Sequence, residues 1–166
     1  MPVRGKPRRG GLPFTGAELR FLRALVRDKV DFMVVGLSAA ALQGAPVVTQ
    51  DVDLWFRDLN DPRLRRTLKK AGAGILEPAG LNPPILLGEG IELFDLVGHM
   101  HGLDGFAQEM KHAVRISLGS FRVPVLPLAR VIASKRALGR PKDDLYLRVL
   151  ADTRATLRRR PGNLKI

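Results

Sequence analysis

The chain has 166 residues, 45% of them apolar, no cysteine and a formal net charge of +12. That length predicts one domain with enough apolar material for a core, and the missing cysteine excludes disulfides, thiolate zinc sites and cysteine nucleophiles together. No apolar run is long enough to span a bilayer, and the basic N-terminus is not followed by a hydrophobic segment of signal-peptide type, so a soluble cytoplasmic protein is expected.

Residues 1–13 carry Arg4, Lys6, Arg8 and Arg9 with no acid and read as a basic tail. The domain is expected over residues 14–153. It opens with Thr15-Gly16-Ala17-Glu18, a capping box, after which Leu19, Leu22, Leu25 and Val26 recur at helical spacing. Arg20, Arg23 and Arg27 take the polar side of that helix, as a solvated face or as an extension of a nucleic-acid track. Val30 to Val35 reads as a short strand ending at Gly36. Ser38 to Gln43, alanine-rich and closed by Gly44, reads as a short helix.

Val48 to Phe56 is the next expected strand, and it contains the most informative pair in the chain. Side chains alternate along a strand, so Asp51 and Asp53 share one face while Val52, Leu54 and Phe56 share the other. Two like charges held side by side repel and lose hydration unless a cation neutralises them. Carboxylates without thiolate or imidazole beside them suit Mg2+ or Mn2+. Asp61-Pro62 then marks a helix start, with the helix running from Arg63 to Ala71 and ending at Gly72. After a Gly- and Pro-rich passage, Ile91 to Val97 returns as a strand in which Asp95 lies opposite to Phe94 and Leu96. If the two strands are neighbours, Asp51, Asp53 and Asp95 converge on one open face of a sheet.

Beyond Asp95, His99 and His101 form an H-x-H that reads as loop histidines, because no further ligand cluster accompanies them. Val114 to Val125 reads as a hairpin turning at Leu118 to Ser120. A helix from Leu128 to Leu138 puts Lys135 on the apolar stripe of Leu128, Val131 and Ile132, where a lysine either snorkels to water or reaches an anion. Arg140 and Lys142 are weaker anion contacts, and Asp143, after Pro141 and before Leu145, Val149 and Leu150, stands where it can cap the next helix. Residues 154–166 carry five basic residues and no acid, which leaves a body of 19 basic and 16 acidic side chains at +3. Two basic tails on a near-neutral body suit contact with a polyanion such as RNA, or serve as solubilising ends.

A hydrophobic strand, a Gly-containing turn, Asp-x-Asp and a later strand Asp together resemble the nucleotidyltransferase superfamily that includes DNA polymerase beta. The run VPVLPLARVIASKRALGRPKDDLYLRVL, with its helix lysine followed by Arg-x-Lys-Asp, is similar to the toxin-type branch of AbiEii-like and MenT-like proteins, and the likeness covers about residues 14–150. It implies an α+β (mixed α/β) fold: a small mixed sheet with helices packed on one face as a nucleotidyltransferase-like core, followed by C-terminal helices. It implies catalysis at Asp51, Asp53 and Asp95 holding Mg2+ (or Mn2+), with an NTP as donor bound by Gly36, Ser38 and Lys135. Leu37 stands where the signature has its second Gly or Ser, Val47 where toxin-type relatives have an arginine, and Tyr146 where the last helix has a second Asp. The reaction implied is transfer of NMP to an acceptor hydroxyl, RNA or the 3′ end of tRNA, in a toxin–antitoxin component with a cognate partner protein. Two alternatives stay open: a protein hydroxyl as acceptor, and a nucleotide- or RNA-binding module of the same fold without catalysis.

Overall fold

The computed structural model describes residues 14–159; the N-terminal tail and residues 160–166 lie outside the described residues. The chain forms α1 (Gly16–Arg27), β1 (Phe32–Val35), α2 (Gly36–Leu42), β2 (Val52–Phe56), α3 (Pro62–Lys70), β3 (Gly74–Leu76), β4 (Ile85–Leu87) and β5 (Phe94–Val97). It continues with α4 (Phe106–Met110), β6 (Val114–Ser117), β7 (Arg122–Val125), α5 (Leu128–Leu138), a 3-10 turn (Pro141–Asp143) and α6 (Asp144–Arg159).

Five strands make one mixed sheet in the order β5-β2-β1-β7-β6, and β3 with β4 makes a separate two-stranded ribbon. β1 is the central strand, which is why its four residues, FMVV, are all apolar and all buried. β2 runs antiparallel to β1 and parallel to β5, while β7 runs parallel to β1 and antiparallel to β6. Aromatic rings seal both faces. Phe94 meets Phe14 and Phe21 on one side, and Trp55 meets Phe106 edge-on at 5.4 Å on the other. The architecture is the expected mixed α/β one, a mixed sheet with helices and a C-terminal helical pair.

Local signals place several boundaries. The Thr15–Glu18 capping box is formed in both directions, Thr15 N–H donating to Glu18 Oε2 at 2.6 Å and Glu18 N–H to Thr15 Oγ1 at 3.4 Å. Asp61 caps α3 through Arg63 N–H, with Pro62 at the first helical position. The β6–β7 hairpin turns at Leu118 to Ser120 as expected. Strand starts differ from expectation. β1 begins at Phe32 instead of Val30, β2 at Val52 instead of Val48, and β5 at Phe94 instead of Ile91, because a strand begins where a neighbour supplies ladder bonds and apolar composition extends beyond that point. α2 begins at Gly36, two residues earlier than expected. α6 reaches Arg159, so residues 154–159 of the expected basic tail are helical.

Candidate active site

The site is assembled from three chain segments around β2. Asp53 sits in β2 between Val35 of β1 and Asp95 of β5, which is its register partner on the parallel strand. Asp51 precedes the strand in a turn organised by Thr49, whose hydroxyl donates to Asp51 O at 2.8 Å and accepts from Asp51 N–H at 3.4 Å. All three aspartates line one cleft of about 590 Å3. Asp51 and Asp95 are exposed at its mouth and Asp53 lies deeper.

The electrostatics record the crowding. Burial, then the charges of Asp95 and Asp51, push the Asp53 carboxyl up to about 6, with Lys135 the opposing influence. Asp95 is also raised, by burial and by Asp51. Gly36 is required by this arrangement. Its φ of +65° is left-handed, and a Cβ built there would run into the Asp53 carboxylate. The turn is therefore shaped for the aspartate as well as for any ligand above it.

Across the cleft stands α5. Its first turn is tied to α2 by Gln43, a buried amide whose Nε2 donates to Ala39 O and Leu126 O, both at 2.9 Å, and whose Oε1 accepts from Leu128 N–H at 3.0 Å. That three-way tie fixes where Lys135, two turns further on, enters the cleft. Lys135 Nζ pairs with Asp143 Oδ1 at 2.8 Å and lies 5.7 Å from the centre of the Tyr146 ring. Both members of the pair are largely buried, and Asp143 Oδ2 has no hydrogen-bond partner among the described residues. Lys135 thus neither snorkels freely nor stands idle. Asp143 lies in the 3-10 turn and holds the lysine instead of capping α6 by a side-chain bond.

The structure brings Gly36, Asp51, Asp53, Asp95 and Lys135 together at the cleft, and Arg140 with them. Ser38 and Lys142 are not among its lining residues. The Ser38 hydroxyl is buried and donates to Val35 O at 2.8 Å, so it braces the turn, and Leu37 takes the place at the cleft wall. His99 and His101, read as plain loop histidines, line the same cleft with their rings 4.5 Å apart. Their position four and six residues after Asp95 was the available signal. The loop carrying them is held down where Gly102, at φ +67°, abuts Ala137 of α5 so closely that a Cβ would collide with it.

The donor set of the three aspartates is hard oxygen throughout, which suits Mg2+ or Mn2+. Among the described residues no three carboxylate or imidazole groups are gathered around one point, so the aspartates share a cleft and are not closed into a metal centre. Their mutual repulsion is the force that a divalent cation would relieve in drawing them together.

Neither a protein-family model nor a curated protein matches the sequence. Solved structures do. The antibiotic-resistance factor ANT(2″)-Ia, in complex with adenylyl-2″-tobramycin, is 16% identical over 87% of this chain and 96% of its own, with a TM-score of 0.56. Its solution structure gives a TM-score of 0.55 at 16% identity, over 90% of this chain and 93% of that one. A Thermotoga maritima protein assigned to the nucleotidyltransferases is 18% identical over 88% of this chain and 99% of its own, with a TM-score of 0.58. At such identities the likeness establishes architecture, and the conclusion is that this chain has a nucleotidyltransferase-like fold.

Proposed function

We propose that the protein is a metal-dependent nucleotidyltransferase that moves NMP from an NTP to an acceptor hydroxyl. The observation that carries this reading is the register pairing of Asp53 with Asp95 on neighbouring parallel strands, in one cleft with Asp51 and opposite Lys135. A Mg2+ or Mn2+ ion held by the three carboxylates would neutralise them and lower the pKa of the acceptor hydroxyl. The chain's own groups do the rest. Lys135 supplies positive charge to the triphosphate, which competes with Asp143 for the ammonium group, and Arg140 adds a second cation at the rim. Gly36 leaves the Asp53 carboxylate unobstructed beside the phosphates, and Ser38 acts indirectly by holding the turn. The acceptor oxygen bonds to the α-phosphorus as the bond to pyrophosphate breaks, and the hydroxyl proton passes to water at the exposed mouth of the cleft.

RNA is the acceptor this reading favours. A net charge of +12 attracts a polyanion, whereas ANT(2″)-Ia holds a nucleotidylated small molecule. A toxin–antitoxin role with a cognate partner protein is the finer reading of the toxin-type resemblance. The test is direct: purified protein with each α-labelled NTP, Mg2+, total tRNA and cell lysate should label RNA. Label on protein would move the acceptor to a protein hydroxyl, and no label under any condition would leave a binding module. Label that persists in the Asp51→Ala, Asp53→Ala double variant would overturn the metal assignment.

A further inference from the structure

A second cationic feature lies away from the aspartate cleft. α1 and α3 pack against each other and carry eight arginines and lysines between them against one acid, Glu18, which is buried in its own cap. Some of these cations are already committed. Arg63 pairs with Asp61 and Asp31, Arg65 with Glu77, and Arg27 with Asp28. Arg20, Lys69 and Lys70 form no ion pair among the described residues. Arg20 and Lys70, with Arg27, line a groove of about 360 Å3 together with the small side chains of Ala17, Ala24 and Ala71 and one acid, Glu89.

The position of this groove matters as much as its charge. Phe21 lines it and packs on Phe94 at 5.5 Å between ring centres, while Asp95, the next residue, turns to the opposite face and the cleft. β5 is the edge strand of the sheet. One strand at an open edge therefore separates a cationic groove from the aspartates. Cations strung along two helices in an open groove suit the evenly spaced charges of a chain of phosphates better than a single small anion.

We propose that the α1–α3 groove docks the phosphodiester backbone of the nucleic acid strand whose hydroxyl enters the aspartate cleft. This rests on the RNA-acceptor reading. The test measures binding of a fluorescent 20-nucleotide single-stranded RNA to the full chain, without NTP, by anisotropy between 50 and 250 mM KCl, about the range over which phosphate contacts change affinity strongly. Arg20→Glu with Lys70→Glu is expected to weaken binding at least about tenfold and to flatten the salt slope by about 1.4, two single-strand contacts' worth. Arg20→Gln with Lys70→Gln, a milder pair, should flatten it comparably with an unchanged melting temperature. A charge-matched control, Arg115→Glu with Arg122→Glu on the β6–β7 hairpin at the end of the sheet away from β5, should weaken binding less than about threefold. Equal weakening in the groove and control variants, or no weakening in the groove variants, overturns the proposal. Binding that depends on the groove while RNA is never labelled overturns the acceptor reading alone, so the two failures are distinguishable.

Discussion

Asp53 is the residue on which the site turns, and its environment makes a signed prediction. Its folded carboxyl is raised to about 6 from an ordinary 3.8, chiefly by burial. A raised acid favours its protonated form in the folded state, so its contribution to stability is present below the unfolded value and is lost as pH rises through the folded one. Without metal, Asp53→Asn should therefore melt higher than the parent at pH 7.5, with the difference closing near pH 4, as read by circular dichroism. A parent that is the more stable at pH 7.5 would contradict this account. Gly36 is coupled to the same carboxylate. Gly36→Ala should cost about 1–3 kcal/mol, from a left-handed φ and a Cβ forced against Asp53. Pairing it with Asp53→Ala should recover part of that cost, and a double-mutant cycle by urea unfolding measures how much.

At the scale of elements, two polar ties decide where the helices stand. Gln43 sets the start of α5 against α2, and the Lys135–Asp143 pair joins α5 to the 3-10 turn before α6. Removing one partner of a buried pair leaves an uncompensated charge, so Asp143→Ala should lower stability by about 3 kcal/mol. It should also free Lys135 for the triphosphate, which competes with Asp143 in the proposed mechanism. The expected outcome is weaker urea resistance with unchanged or tighter NTP binding by calorimetry, and loss of both together would show that Asp143 holds the lysine in a binding-competent place. A separate tie links α4 to α5, where buried Glu109 accepts from Arg130 and from Asp104 N–H, holding its carboxyl below the usual range. That tie contributes stability above the ordinary glutamate pKa and weakens as pH falls through the lowered one, a sign opposite to that of Asp53.

At the scale of the whole molecule, the crowding of charge at Asp53 opposes folding at neutral pH, and in the proposed reading a divalent cation relieves it. Mg2+ that binds only the folded chain should raise the melting temperature at pH 7.5, by an amount that grows with concentration, and Asp51→Asn with Asp53→Asn should abolish the rise. A rise that survives in that variant would locate the ion elsewhere. Much of the design was legible from sequence because its signals are short-range. The Thr15 capping box, the Asp61–Pro62 start and the Gly119 hairpin each involve residues within a few positions of one another, whereas Asp51, expected in the strand, lies in the turn before it. What stayed hidden depends on partners far along the chain. The strand starts at Val52 and Phe94 follow from pairing, the Ser38 hydroxyl is committed to Val35 O, and His99 and His101 reach the cleft because their loop is pinned on α5 at Gly102. By itself, then, the sequence determined the capped helix starts, the β6–β7 hairpin and the apolar centres of the main strands, since periodicity and capping are local, whereas the β3–β4 ribbon and α4 gave no such signal. Only the tertiary structure decided that Asp53 stands in register with Asp95, that Gly36 serves Asp53 and that Lys135 is held by Asp143. Sheet register and helix packing are set by contacts that no local spacing encodes.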